Sequence, residues 1–354
     1  MRHLRHVSRE TRFMDLPGPF LLESGESLPV VRVAYRTWGR RSSAGDNGVL
    51  VCHALTGSAD VDEWWGDLLG PGRALDPQRD FIVCSNVLGS CYGTSGPGSE
   101  RSSGGGAWNA AFPAVTIRDM VHLQARLLDS LGVGSLDLVI GGSMGGMQVL
   151  EWGALYPQRV RALVPIAVSA RHSPWCIGIS EAQRAAIRSD PAFRGGDYDP
   201  RHPPAGGLAV ARMIAMASYR SWEGFQRRFG RRRRPDGPFQ VESYLRYQGE
   251  KLAERFDANA YLSLTRAMDS HDLGRGRGPY DEVLKGLRQP SLVVAVDSDV
   301  LYPPQEQEEL ARLLPRGELA VVSSAHGHDG FLLEGGAVND HLLRFRRRLS
   351  SAAA

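Results

Sequence analysis

Short runs of apolar residues, separated by segments with helical periodicity, recur through the first half of the chain. Five of them have the length of a strand and are bounded by Gly, Pro or Asp, at residues 30–35, 48–52, 81–85, 136–140 and 162–167. Several are apolar at every position, which is typical of strands buried on both faces of a parallel sheet. Two later runs, at 290–296 and 319–323, have the same character. The pattern therefore predicts an α/β sheet to which both ends of the chain contribute.

Helical patterns fill the segments between these strands. Residues 117–131 put their apolar side chains largely on one face, with Thr116 as the expected N-cap, and 145–156 form a second helix that Pro157 ends. Strand, helix and strand in alternation indicate an α/β fold with a mostly parallel, doubly wound sheet.

The middle of the chain has a different character, with little strand signal and many helical segments. We therefore expect one α/β core made of residues 1–173 and 287–354, interrupted by a helical lid insertion at 174–286. Such a division agrees with a length of 354 residues, since large α/β folds often exceed 200 residues.

Composition and charge exclude several classes of protein. The chain is 42% hydrophobic and 23% charged, which excludes disordered and collagen-like chains. The net charge is +3, and the arginine-rich stretches at 231–234 and 344–348 are expected to be solvated, so no nucleic-acid partner is predicted. No signal-peptide pattern and no apolar run of about 18 residues is present, so we expect no membrane association and a cytoplasmic protein. Four cysteines without a C-x-x-C pair predict neither a disulfide scaffold nor a metal site.

The strongest chemical signal is the sequence Gly-Gly-Ser-Met-Gly-Gly at 141–146, between a predicted strand and a predicted helix. This is G-x-S-x-G in the strand–turn–helix setting of a nucleophile elbow, with Ser143 as the nucleophile. The sharp turn strains the serine backbone and presents its hydroxyl at the carboxyl edge of the sheet, near a helix N-terminus. A glycine-rich turn that only packs helix against strand is the structural alternative, and the setting favours the nucleophile.

A serine nucleophile needs a base and an orienting carboxylate, which follow it in the order Ser, Asp, His in this type of fold. The last two predicted strands are followed by Asp297 and Asp299, and by His326 and His328, respectively. The required order is met, and spacing alone leaves two candidates for each role.

An oxyanion hole needs two backbone N–H groups. One is expected from Met144, directly after the serine, and the other from Leu55, in the loop after the strand at 48–52. His53, in the same loop, precedes the nucleophile and is expected to be structural.

At these motifs, and over all but the first dozen residues and the tail, the chain resembles the homoserine O-acetyltransferases, α/β-hydrolase-fold enzymes of methionine biosynthesis. The matching text includes CHALTGSAD (52–60), SNVLGSCYGTSGP (85–97), IGGSMGGMQVLEW (140–152), GLAVARMIAMASYRS (207–221), DSDVLYPPQEQ (297–307) and GHDGFL (327–332). The resemblance implies that Asp299 is the acid and His328 the base. It also implies two substrate contacts, Arg212 and Asp329, which could hold the α-carboxylate and the α-ammonium of an amino acid.

The activity implied by the resemblance is transfer of acetyl from acetyl-CoA, as co-substrate and without a cofactor, to L-homoserine through an acyl-serine. The family also implies a homodimer formed through the helical insertion. A serine acceptor or a succinyl donor on the same scaffold stays open, as does, more remotely, an esterase. The Arg212 and Asp329 contacts argue against the esterase, because a hydrolase of neutral esters has no use for a zwitterion site. A non-enzymatic binding protein on this fold is disfavoured by the complete triad.

Overall fold

The computed structural model describes residues 6–101, 104–235 and 237–351. The outer ends of the predicted core, 1–5 and 352–354, lie outside these ranges. Within the described part of the chain the strands are β1 (Arg12–Leu16), β2 (Phe20–Leu21), β3 (Ser27–Leu28), β4 (Val31–Trp38), β5 (Gly48–Cys52), β6 (Phe81–Ser85), β7 (Leu136–Gly142), β8 (Leu163–Ile166), β9 (Ser291–Val296) and β10 (Gly317–Val322).

Eight of these strands form the central sheet, in the order β1-β4-β6-β5-β7-β8-β9-β10. Five of its seven strand pairs are parallel, and the two that involve β4 are antiparallel. The predicted α/β fold with a mostly parallel sheet is therefore confirmed. Strands β2 and β3 pair separately.

The helices occur between the strands and in one long series in the middle of the chain. They are α1 (Val61–Trp64), α2 (Ile117–Ser130), α3 (Met144–Leu155), α4 (Pro174–Arg188), α5 (Ala205–Tyr219), α6 (Trp222–Arg228), α7 (Gln240–Arg255), α8 (Ala258–Asp269), α9 (Tyr280–Gly286), α10 (Pro304–Leu313), α11 (Gly330–Leu333) and α12 (Gly335–Ser351). Helices α4 to α9 follow one another within 174–286, where a lid insertion is expected, and α5 packs against both α4 and α7. The division into core and lid stays a prediction. Among the described residues, no helix combines the length and apolar character needed to cross a membrane.

Apolar residues on both faces of the sheet explain why the strand sequences do not alternate. In β7, Val139 packs in the layer that contains Met120 of α2, whereas Leu138 and Ile140 pack in the opposite layer with Phe345 of α12. A strand covered by helices on both sides buries every side chain, so its sequence is apolar throughout.

The N-cap predicted for α2, Thr116, is confirmed. The Thr116 hydroxyl accepts a hydrogen bond from the backbone N–H of Asp119, and the Asp119 carboxylate accepts one from the backbone N–H of Thr116. This reciprocal capping box satisfies N–H groups that have no partner within the helix.

The expectation that the arginines of 344–348 are all solvated is wrong for Arg346. Its side chain is 11% exposed, and its guanidinium donates to both carboxylate oxygens of Asp80, at 2.6 and 2.7 Å, and to Asp137 at 3.0 Å. Helix α12 turns this arginine toward the sheet along with the core residue Phe345. Two carboxylates therefore compensate a charge that the sequence pattern assigns to the surface.

Candidate active site

The predicted site residues follow strands that run parallel and end at one edge of the sheet. Leu55 follows β5, Ser143 follows β7, Asp299 follows β9 and His328 follows β10. Because the carboxyl ends of parallel strands share an edge, the loops that carry these residues meet there.

Ser143 occupies the sharp turn between β7 and α3. Its backbone has φ 57° and ψ −126°, a conformation that costs a non-glycine residue energy and is common at functional sites. A Cβ atom on Gly145 would lie 2.1 Å from the carbonyl oxygen of Cys52, so only glycine fits there. The glycine spacing of the motif thus follows from how closely the first turn of α3 approaches β5.

Two backbone N–H groups near this turn have no acceptor among the residues that the structure describes. Met144 begins α3, so its N–H has no acceptor within the helix. Among the described residues, neither this N–H nor that of Leu55 donates a hydrogen bond. The Leu55 loop is held against α3 by Gln148, whose amide donates to the carbonyl oxygens of His53 and Met144. This arrangement has the donors that an oxyanion hole needs, and the role stays a prediction.

His53 stabilises the same loop through two hydrogen bonds to the backbone. Its Nε2 accepts a hydrogen bond from the backbone N–H of Val87 at 3.2 Å, so its proton is on Nδ1, which donates to the carbonyl oxygen of Ala54 at 2.8 Å. Burial lowers the pKa of His53 to about 4, and the ring is therefore neutral near pH 7. Both ring nitrogens are occupied by backbone groups, as expected for a structural histidine.

Asp299 and His328 are in direct contact. His328 Nδ1 lies 2.7 Å from Asp299 Oδ2, and both side chains are almost fully buried. Asp299 Oδ1 accepts hydrogen bonds from the backbone N–H groups of Leu301, at 2.8 Å, and Tyr302, at 3.0 Å. Burial by itself would lower the pKa of His328, but the charge and hydrogen bond of Asp299 outweigh it and raise that pKa above 6.5.

Asp297 and His326, the other members of the two candidate pairs, do not take part in this contact. Asp297 accepts a hydrogen bond from the backbone N–H of Ser324 at 2.9 Å, which joins the loops after β9 and β10. His326 is exposed and its backbone N–H donates to the Ser324 hydroxyl. The structure thus brings Asp299 and His328 together and gives Asp297 a loop-bracing contact.

Aromatic rings enclose the His328 imidazole. The ring centroids of Tyr302, Phe331 and Tyr219 lie 5.2, 5.5 and 5.6 Å from that of His328. The Phe331 ring also lies over Gly142, where a Cβ atom would be 2.4 Å from it, so this ring connects the histidine loop to the elbow. In the described structure Ser143 Oγ makes no hydrogen bond to His328 Nε2. Such catalytic hydrogen bonds often tighten only when substrate is bound.

Arg212 and Asp329 both lie near Tyr219. The Arg212 guanidinium carbon is 5.4 Å from the centre of the Tyr219 ring. A terminal nitrogen of this guanidinium, Nη1, is buried and has no hydrogen-bond partner in the described part of the chain. Burial raises the pKa of the Tyr219 phenol, while the charge of Arg212 acts to lower it and that of Asp329 to raise it. Both predicted substrate contacts are therefore close to the ring that packs on His328.

Sequence reasoning missed two arginines at this site. Arg220 Nη2 lies 3.1 Å from Asp329 Oδ2. Arg255, the last residue of α7, donates to the carbonyl oxygen of Thr56 at 2.9 Å and to the hydroxyl of Tyr92. Both contacts join the end of a helix within 174–286 to a loop far away in the sequence, so no local spacing indicates them. The matching segment 207–221 contains Arg220, and this was the available signal.

The arrangement has the parts of a serine-based acyl-transfer site. Among the described residues, no group of three or more His, Cys, Asp or Glu side chains could hold a metal ion. A serine at a strained turn, a buried histidine with a carboxylate on Nδ1, and two unpaired backbone N–H groups are what nucleophilic attack on a carbonyl carbon requires.

Comparisons with known proteins identify the family. A family model described as α/β hydrolase fold matches residues 47–335. The homoserine O-acetyltransferase of Trichormus variabilis is 57% identical over 351 residues, which cover 99% of this chain and 98% of that protein. Among solved structures, homoserine O-acetyltransferase from Staphylococcus aureus is 30% identical, with a TM-score of 0.78 and coverage of 95% of this chain and 94% of the other. An acetylester hydrolase from Corynebacterium glutamicum is 26% identical, with a TM-score of 0.85 and coverage of 95% of each chain. The chain therefore belongs to the homoserine O-acetyltransferase family of α/β-hydrolase-fold acyltransferases.

Proposed function

We propose that this protein transfers the acetyl group of acetyl-CoA to the hydroxyl of L-homoserine through an acetyl-serine, giving O-acetyl-L-homoserine for methionine biosynthesis. The observation that carries the proposal is the contact of Tyr219 with both His328 and Arg212. It puts a guanidinium suited to an amino-acid carboxylate next to the histidine that would activate the acceptor hydroxyl. A relative that is 57% identical over nearly the whole chain and is named homoserine O-acetyltransferase supports the choice of donor and acceptor.

In the first half-reaction, Ser143 Oγ attacks the carbonyl carbon of the thioester and His328 Nε2 takes its proton. The N–H groups of Leu55 and Met144 stabilise the tetrahedral oxyanion. When this intermediate collapses, the C–S bond breaks, the proton on His328 passes to the CoA sulfur, and acetyl-Ser143 remains.

In the second half-reaction, His328 takes the proton of the homoserine hydroxyl, whose oxygen attacks the acetyl carbonyl carbon. The same two N–H groups hold the second oxyanion. The ester bond to Ser143 breaks, the serine oxygen regains a proton from His328, and the product leaves. Through both steps Asp299 keeps the proton of His328 on Nδ1, so Nε2 is the nitrogen that exchanges protons. Asp299 also stabilises the charged form of the ring.

Acceptor selection must exclude water, which is present at far higher concentration than any amino acid. We assign the α-carboxylate of the acceptor to Arg212 and its α-ammonium to Asp329. Holding both groups would keep the homoserine hydroxyl near the acetyl carbon, an orientation that a free water molecule lacks. The lid helices would limit the entry of water to this space.

An acetylesterase is a second candidate, because the acetylester hydrolase from Corynebacterium glutamicum has the same fold with a TM-score of 0.85. Serine as acceptor and succinyl-CoA as donor are further variants of the acyltransferase. All of these can be separated by following CoA release with each donor in the presence of homoserine, serine or no acceptor.

We expect a burst of CoA from acetyl-CoA alone and sustained turnover only when homoserine is added. The Ser143→Ala variant is the control that reports CoA release by other routes. Fast turnover of acetyl-CoA or of a simple acetyl ester without any acceptor would instead support the esterase. Sustained turnover with serine or with succinyl-CoA at equal efficiency would redefine the substrates.

We also propose that the protein is a homodimer formed through the helical insertion. Apolar side chains on α5, α6 and α7 are exposed, with Trp222 the most exposed at 75%, followed by Tyr247 and Val210. Contiguous exposed apolar surface often marks a protein interface. Sedimentation analysis should give twice the mass of the chain, and Trp222→Glu should shift the population toward the monomer.

A further inference from the structure

Asp329 has a charged partner within the protein, Arg220. Their side chains, 17% and 16% exposed, form an ion pair with 3.1 Å between Asp329 Oδ2 and Arg220 Nη2. Besides this ion pair, no hydrogen bond to the Asp329 carboxylate is present among the described residues, so its second oxygen is available to a ligand. The two residues come from different parts of the fold, Arg220 from the end of lid helix α5 and Asp329 from the loop after β10.

The charges of Arg212, Arg220 and Asp329 do not balance one another. Arg212 and Arg220 carry two positive charges, whereas Asp329 supplies one negative charge, and Arg220 already pairs with it. Each arginine also has one buried nitrogen with no hydrogen-bond partner among the described residues, Nη1 in Arg212 and Nε in Arg220. Buried donors without partners are rare in proteins and need an explanation, and an anionic group of a bound ligand supplies one.

We propose that Arg220 is a positioning residue that determines the charge type of the acceptor. It holds the Asp329 carboxylate in place and neutralises its charge. An acceptor that has only an ammonium group therefore gains little binding energy at Asp329, whereas an acceptor carboxylate is attracted by the remaining positive charge. The inference rests on the proposed function, because it assumes that the acceptor binds between Arg212 and Asp329.

This charge balance predicts an order among acceptors that share the hydroxyl and the carbon chain. Homoserine has both charged groups and binds best. Hydroxybutanoate lacks the ammonium and still meets the surplus positive charge. Aminopropanol lacks the carboxylate and is the poorest acceptor, because its ammonium approaches an aspartate that Arg220 has already paired.

The test is the rate at which each of these three acceptors discharges the acetyl-enzyme, measured by stopped flow after acetyl-CoA has been added. The variants are Arg220→Gln, which removes the charge, and Arg220→Lys, which keeps it. Arg227→Gln is the matched control, since Arg227 forms an exposed ion pair with Glu223 on α6. The size of the CoA burst gives the fraction of folded, active protein in each preparation.

For Arg220→Gln we expect slower discharge by homoserine, together with a shift of at least about tenfold in the rate ratio of aminopropanol to hydroxybutanoate, in favour of aminopropanol. Arg220→Lys should restore the wild-type ratio, and acetyl-enzyme formation should not change in either variant.

If Arg220 had a merely structural role, Arg220→Gln would slow discharge by all three acceptors equally and leave the ratio unchanged. That result would overturn the inference. If the wild type discharged to none of the three, the proposed function would fall and the inference with it. If the wild type prefers homoserine but Arg220→Gln has the wild-type ratio of aminopropanol to hydroxybutanoate rates, the inference about Arg220 is rejected and the proposed function is retained.

Discussion

Asp299 Oδ2 lies 2.7 Å from Nδ1 of His328, and this contact controls the charge of the imidazole. The carboxylate is itself fixed by two backbone N–H groups, so it cannot turn away from the ring. Its charge raises the pKa of His328 above 6.5 although the ring is buried. A histidine that acts as a base must be neutral, so protonation of His328 at low pH removes activity.

We therefore predict that the rate of the CoA burst rises with pH through a midpoint above 6.5. Replacing Asp299 by Asn removes the interaction that raises this pKa and leaves burial, so the midpoint should move to lower pH. The rate itself should fall roughly 10³–10⁴-fold, as for other triads that lose the orienting carboxylate. Asp297→Asn is the control and should keep both the rate and the midpoint. An unchanged midpoint in Asp299→Asn would show that another group titrates.

Arg212 is assigned to the acceptor carboxylate, which acetyl-CoA does not have. Arg212→Ala should therefore keep a normal CoA burst and lose discharge by homoserine. Losing a charge-assisted contact to a desolvated carboxylate should cost on the order of 2–4 kcal/mol, or roughly 30- to 1,000-fold. Stopped-flow measurement of the two half-reactions separates these steps. A lost burst with normal discharge would assign Arg212 to the CoA side instead.

Arg255 connects helix α7 to the loop that carries Leu55, through its hydrogen bond to the carbonyl oxygen of Thr56. In the proposed mechanism the Leu55 N–H donates to the oxyanion, and losing the Arg255 contact would free this loop and disturb that alignment. Because both half-reactions of the proposed mechanism pass through an oxyanion, Arg255→Ala should slow each of them by roughly 10- to 100-fold, somewhat less than the loss of a whole oxyanion donor. The KM for homoserine should change little.

The control for this prediction is Arg246→Ala on the same helix, since Arg246 forms an exposed pair with Glu242. A defect confined to one half-reaction would contradict the proposed link between Arg255 and the oxyanion loop.

A stability prediction follows from Glu151, which is 1% exposed on α3. It accepts hydrogen bonds from Arg118 at 3.1 Å and from Arg277 at 2.6 Å, and so joins α3 to two distant segments. Glu151→Ala would leave two guanidinium groups without their buried partner and should lower the free energy of unfolding by about 3–5 kcal/mol. Glu223→Ala breaks an exposed pair and should cost less than about 1 kcal/mol. Denaturant unfolding monitored by circular dichroism measures both, and equal losses would contradict the prediction.

The sheet and the elbow could be predicted because their signals are local. Strand β7 is apolar on both faces, and the glycines around Ser143 satisfy a steric requirement within a few residues. Strand β1 was missed, since most of its side chains are exposed at the edge of the sheet and its sequence has no apolar run.

The charged contacts of the site could not be predicted from spacing. Arg220 and Asp329, like Arg255 and Thr56, meet only in the tertiary structure, because each pair joins the end of a helix within 174–286 to a loop far away in the sequence. Spacing also left Asp297 and Asp299 equal as candidates. The structure distinguishes them because the backbone after β9 aims only Asp299 at His328.

The proposed mechanism requires an acetyl-enzyme on Ser143 that homoserine discharges. The most direct measurement is mass spectrometry of the protein after mixing with acetyl-CoA, followed by peptide mapping and then by addition of homoserine. We predict one acetyl group on the peptide that contains Ser143, its loss on addition of homoserine at a rate well above that in buffer, and the appearance of O-acetylhomoserine. Turnover to O-acetylhomoserine without acetylation of Ser143, or undiminished turnover in Ser143→Ala, would contradict the mechanism.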